Sequence, residues 1–106
     1  MIARIWTGKV RLADADAYAE YIRGTGLDEY AATPGNRGAW MLRRDEEDLT
    51  EFITFSLWES EDAIRSFAGD DIEAAVYYPE DERYLVERGP LVRHYEVAHE
   101  VRPEPR

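Results

Sequence analysis

The chain has 106 residues and a formal net charge of −10, from 23 acidic against 13 basic side chains, and it contains no cysteine. That length suits one domain around one core, and the charge excludes a phosphate-backbone partner, because every lysine or arginine would compete with carboxylates for it. The missing thiols exclude disulfides, thiolate nucleophiles and cysteine-ligated metals. With 44% hydrophobic and 12% aromatic residues the chain is composed to fold. No apolar run approaches the roughly 20 residues of a membrane span, so the expectation is a cytoplasmic protein with neither membrane nor nucleic acid as partner.

Residues 2–10, IARIWTGKV, are β-branched and aromatic up to Gly8 and predict a first strand. In LADADAYAEYIRGTG, Asp14 suits an N-cap, and Ala15, Tyr18, Ala19 and Ile22 recur at helical spacing, which predicts a helix closed by Gly24 or Gly26. LDEYAATPGN reads as a short helical turn and a Pro-Gly loop. RGAWMLRR and TEFITFSLW predict a hairpin joined through the acidic DEED. Ser60 then caps a second helix that ends at Gly69, Asp70 or Asp71 starts a further turn or two, and Pro79 stops it. A turn at Gly89-Pro90 leads into a last strand, RHYEVAHEV, before a loose tail. The domain is placed at residues 1–99, with 100–106 as the tail.

The order β-α-β-β-α-β predicts an α+β, ferredoxin-like fold: a four-stranded antiparallel sheet with both helices on one face. In the third strand Ile53, Phe55 and Leu57 alternate with Phe52, Thr54, Ser56 and Trp58, and in the second Trp40 and Leu42 alternate with Ala39 and Met41. A sheet apolar on both faces needs two covers, and its own helices supply one. The second is most simply the same sheet of another copy across a two-fold axis, so a homodimer is expected.

The sequence lacks a nucleophile elbow, a Walker loop and a dinucleotide fingerprint. His94 and His99 fall on opposite faces of the last strand and do not form a metal pair, whereas His94 and Glu96 share a face. The ordinary reading of His94 is a hydrogen-bonded histidine on a half-buried strand; the functional one is a proton acceptor with a suitable pKa. Aromatic residues form the second constellation: Trp6 on the first strand, Tyr18 and Tyr21 on the first helix, and Phe67, Tyr77, Tyr78 and Tyr84 in or after the second. Such residues at helical spacing are ordinarily core. A helix broken at Gly69 and followed by Tyr77-Tyr78-Pro79 instead suits a cleft beside the sheet that takes a planar organic ligand.

The four-stranded layout, the stretch FSLWESEDAIRSFAGDD and the closing RHYEVAHE resemble the antibiotic biosynthesis monooxygenase family of dimeric α/β barrels, and the likeness runs to about residue 99. The resemblance implies an oxygenase for aromatic polyketides or quinols that uses no cofactor, since the deprotonated substrate supplies its own electrons. On that reading His94 is the base, Arg4, Tyr77 or Tyr78 stabilises the anion, and Trp6, Tyr18, Tyr21, Phe67 and Tyr78 bind a small phenol- or quinol-type substrate. A non-catalytic binding or regulatory dimer of the same fold is the alternative. The family's haem-degrading branch places an Asn, a Trp and a His where this chain has Trp6, Phe67 and Tyr77, and these three departures make a haem-degrading monooxygenase the least favoured of the readings.

Overall fold

In the computed structural model, which describes residues 1–88 and 92–103, the first strand β1 (Ile2–Arg11) lies at the centre of an antiparallel sheet. One edge of β1 pairs in full with β3 (Leu49–Trp58), from Ile2 opposite Trp58 to Arg11 opposite Leu49. Outside β3 runs β2 (Asn36–Glu46). The other edge of β1 carries two short strands in succession, β4 (Leu85–Arg88) near Gly8 and β5 (Arg93–Glu96) near Ile2. The path β2-β3-β1-β4 is the ferredoxin-like order, with its last strand in two pieces. The predicted turn at Gly89-Pro90 falls outside the described residues.

Between β1 and β2 the chain forms α1 (Ala15–Ile22), a π-turn over Arg23–Leu27 and α2 (Asp28–Ala32). Asp14 occupies the N-cap as predicted, but its side chain makes no capping bond. It ends a 3-10 turn, Leu12–Asp14, at φ −97° and ψ −3°, away from the extended geometry that aims a cap at the first turn. Nor do Gly24 and Gly26 close the helix. Thr25 Oγ1 donates to the Tyr21 carbonyl at 2.8 Å, and the widened turn carries the helix on into α2.

The β2–β3 hairpin turns on Glu47 and Asp48, with Glu47 at φ 56°. Helix α3 (Glu61–Ala68) begins where Ser60 Oγ accepts the Ala63 N–H at 3.2 Å and ends at Gly69, whose φ of 87° only glycine adopts without strain. The turns expected between Asp70 and Pro79 are not helical. Arg4 takes the carbonyl oxygens of Ile72 and Ala74, and the Tyr78 N–H goes to Asp81 Oδ2 at 2.6 Å, so groups a helix would pair internally are bonded elsewhere. The helix comes after Pro79 instead, as α4 (Asp81–Tyr84).

Alternation along β3 decides where the core lies. Phe52, Thr54, Ser56 and Trp58 are buried beneath the helices, while Ile53, Phe55 and Leu57 are half-buried on the other face. Two clusters fill the covered side. Trp6, Val10, Tyr18, Ile22 and Phe52 pack under α1, and Tyr30, Trp58, Ile64 and Phe67 pack under α2 and α3. The uncovered side presents Trp40, Leu42 and Tyr95, exposed by 48%, 50% and 49%. That face is apolar, as the strand pattern requires, and none of the described helices covers it.

Candidate ligand site

A cavity opens between the two clusters. It is lined from the sheet by Arg4, Trp6 and Thr54, from the helices by Tyr18, Ile22, Gly26, Tyr30 and Phe67, and from the segment after α3 by Val76, Tyr78, Asp81 and Val92. The open space is about 30 Å³, room for a water molecule or two. The π-turn matters here, because it brings Gly26 against the Tyr78 ring, where an added Cβ would sit 3.7 Å from Cε2.

Arg4 stands two residues into the central strand, directly opposite His94 on β5. Cross-strand neighbours have Cβ atoms about 5 Å apart, and Arg4 Nη1 lies 3.0 Å from His94 Nε2. The guanidinium also donates to the carbonyls of Ile72 and Ala74, and its Cζ lies 5.9 Å from the centre of the Phe67 ring. Every partner is neutral. Burial lowers the Arg4 pKa from its usual value, with the Tyr30 hydroxyl pulling the other way. His94 is held below its ordinary pKa by burial and then by Arg4, so at neutral pH it is uncharged, with the Nε2 lone pair facing the guanidinium.

Among the described residues two buried donors have no hydrogen-bond acceptor, Arg4 Nε and Trp6 Nε1. Trp6 is two residues from Arg4 on the same face of β1, and its indole lies across Gly8, where a Cβ would come within 2.6 Å of Cη2. Gly8 is therefore the floor that lets the ring lie flat along the strand.

Opposite them, Tyr18 Oη donates to the buried Asp81 Oδ1 at 3.0 Å, and the second carboxylate oxygen takes the Tyr78 N–H. Burial, then Asp81, pushes the Tyr18 hydroxyl well above the usual phenol range; burial, then Glu29, does the same for Tyr78, whose hydroxyl donates to Glu29. Both tyrosines are donors and stay protonated.

Among the residues singled out from sequence, Arg4, Trp6, Tyr18, Phe67 and Tyr78 line the cavity. His94 sits behind Arg4. Tyr21 packs beside Tyr18, with ring centres 6.3 Å apart, and its hydroxyl accepts the Glu80 N–H. Tyr77 is 40% exposed and away from the lining. Tyr30, Thr54 and Asp81 escaped the sequence reading. Asp81 carried one usable signal, a carboxylate two residues after the Tyr-Tyr-Pro corner, at the position of a first helical turn.

No family model matches the sequence, and no curated protein does either. Solved structures do share its architecture. A protein of Nitrosomonas europaea assigned to the antibiotic biosynthesis monooxygenases superposes with a TM-score of 0.69 at 16% identity, over 93% of this chain and all 100% of that one. ActVA-Orf6, a monooxygenase of Streptomyces coelicolor solved with nanaomycin D, gives 0.61 at 19% identity, over 97% and 92% of the two chains. A variant of MhuD carrying two manganese protoporphyrin IX per active site gives 0.62 at 18%, over 97% and 100%. The chain has the antibiotic biosynthesis monooxygenase fold. No helix among the described residues is long and apolar enough to cross a membrane.

Proposed function

We propose that the protein is a monooxygenase of this family which oxidises a small aromatic phenol or quinol in the Arg4 cavity, using molecular oxygen and no bound cofactor. The observation that carries the reading is the Arg4–His94 pair: a buried cation beside an uncharged imidazole, set against an aromatic-lined cavity. The substrate hydroxyl takes the place of Arg4 Nη1 at His94 Nε2 and gives up its proton there, while the guanidinium holds the phenolate. The phenolate passes one electron to O2, the radical pair joins in a C–O bond, and the peroxide loses water as the adjacent C–H proton leaves. One oxygen atom enters the ring as a carbonyl and the other departs as water, so substrate and O2 balance with no external reductant. Tyr18, Tyr30, Phe67 and Tyr78 exclude water from the radical pair.

Two copies join through the uncovered face of the sheet, on which Trp40 and Phe55 of the same chain lie with ring centres 5.7 Å apart and Leu42 and Tyr95 extend the apolar surface. Light scattering at micromolar concentration should give about twice the 12.3 kDa of one chain; a single-chain mass contradicts the pairing.

An oxygen electrode with a panel of quinols and anthrones tests the activity. Uptake of one O2 per substrate supports it, and His94→Ala should lower the rate by roughly 10²–10⁴-fold, as loss of a general base does. One observation favours a second reading, a binding protein without catalysis: His94 is outside the lining and its lone pair is engaged by Arg4. Tight binding without any O2 uptake across the panel selects that reading.

A further inference from the structure

We propose that the ligand of this cavity carries a carboxylate, and that the site takes a planar aromatic acid anchored on Arg4 and Trp6. This deepens the reading above by naming the substrate class, and it is a statement about binding that holds with or without turnover.

The argument starts from charge. Arg4 is 2% exposed, and an arginine keeps its proton even when buried. A buried cation is unfavourable unless an anion or a full set of acceptors compensates it. Among the described residues its partners are two backbone carbonyls, a neutral histidine and the Tyr30 hydroxyl, all of them uncharged, and no carboxylate pairs with it. The buried carboxylate of the lining, Asp81, is already engaged by Tyr18 and the Tyr78 N–H. The cavity thus holds an uncompensated positive charge.

The unpartnered donors give that charge a direction. Arg4 Nε and Trp6 Nε1 are both buried and belong to residues lining the same cavity. A carboxylate offers two acceptor oxygens and approaches a guanidinium side-on through Nε, so it supplies acceptors and the missing charge together. Water would satisfy a donor and leave the charge. A phosphate dianion would overcompensate one arginine, inside a chain of net charge −10. The rest of the ligand follows from the walls: Phe67, Tyr30, Tyr78 and the Trp6 indole favour a flat aromatic body.

The small volume fits the same account. The carbonyls of Ile72 and Ala74 that occupy the Arg4 fork belong to the stretch between Gly69 and Pro79, which also forms part of the wall through Val76 and Tyr78. A carboxylate arriving at Arg4 competes with those carbonyls. Releasing them lets that wall give way and admits a ring larger than the 30 Å³ now open.

Two isosteric probes test the proposal under anaerobic conditions: 2-naphthoate and 2-naphthamide, titrated against the intact protein at pH 7 by calorimetry. The carboxylate should bind roughly 10–100-fold more tightly, the range for a hydrogen bond to a charged group. Arg4→Gln should abolish that preference, and Trp6→Phe should weaken the carboxylate several-fold and leave the amide unchanged. Equal binding of the two probes, no binding of either at millimolar concentration, or a preference that survives Arg4→Gln overturns the proposal. The comparison on the unmodified protein decides even if Arg4→Gln fails to fold. Oxygen uptake with neutral quinols but no carboxylate preference would sink this inference and spare the oxygenase; the preference without uptake would do the reverse.

Discussion

Trp58 and Trp6 stand on adjacent antiparallel strands, on the same face of the sheet, and both are buried. Trp58 is wholly enclosed, its indole N–H donates to Ser56 Oγ at 2.9 Å, and Tyr30 and Phe67 close on it with ring centres 5.9 and 5.7 Å away. Trp6 is buried too, at 9% exposure, and among the described residues its indole N–H has no acceptor. Buried polar groups in native proteins are almost always satisfied, so one such group without a partner is informative. The contrast separates a tryptophan whose polar atom is satisfied within the packing from one whose polar atom is left open beside a cavity.

The largest effect expected on the packing side is from Trp58→Ala, which should cost about 3–5 kcal/mol in urea unfolding, the range for deleting a buried large aromatic side chain. A cost under about 1 kcal/mol would mean that the Tyr30–Phe67 cluster does not depend on it.

A finer variant pair sharpens the comparison. Ser56→Ala leaves the Trp58 N–H buried without an acceptor and should cost about 1–3 kcal/mol. Trp6→Phe removes a donor that had none, so it should cost less than Ser56→Ala although it deletes more atoms. If the order is reversed, the Trp6 N–H is satisfied in the folded protein and the contrast between the tryptophans fails.

Gly69 bounds the wall segment next to the site. At φ 87° and ψ −172° it occupies a region essentially closed to other residues, while its Cβ position is open space. Gly69→Ala should therefore cost about 1–3 kcal/mol through backbone strain alone. A smaller loss in thermal melting would show that the turn relaxes without it.

The smallest effect is a pH slope. The folded pKa of His94 lies below its unfolded value, by burial and then by Arg4, with Glu73 and Glu61 opposing. Between the folded pKa and the unfolded value near 6.5 the unfolded chain binds more protons, so stability rises with pH through that window and levels off above it. His94→Gln should flatten the slope just below the unfolded value near pH 6.5. A slope that is unchanged would assign the acid sensitivity to carboxylates instead.

Much of the fold was legible because it rests on local patterns. The period-2 runs of β1, β2 and β3 and the Ser60 cap with its acidic first turn were readable, and so was the doubly apolar sheet. The segment from Asp70 to Tyr84 was not, because its conformation is set by contacts distant in sequence. Arg4 takes carbonyls 68 and 70 residues away, and Tyr18 engages Asp81 across 63. The π-turn was hidden for a related reason: two glycines signal a helix end, and nothing local says that Tyr78 will pack against one of them. Of the site candidates chosen by residue type, Arg4, Trp6, Tyr18, Phe67 and Tyr78 line one cavity. What sequence could not supply was accounting of hydrogen bonds, and so the lack of an acceptor at Trp6 Nε1 and Arg4 Nε among the described residues emerged only from the structure.

Nitrogen–proton NMR of the three indoles, Trp6, Trp40 and Trp58, tests the central claim most directly. On titration with 2-naphthoate the Trp6 Nε1–H signal should move downfield and exchange more slowly with solvent, as a donor does on gaining a charged acceptor, while the Trp58 signal stays in place. A Trp6 signal that does not respond at saturating ligand, or one that moves no more than that of Trp58, would contradict the account of this cavity as the binding site.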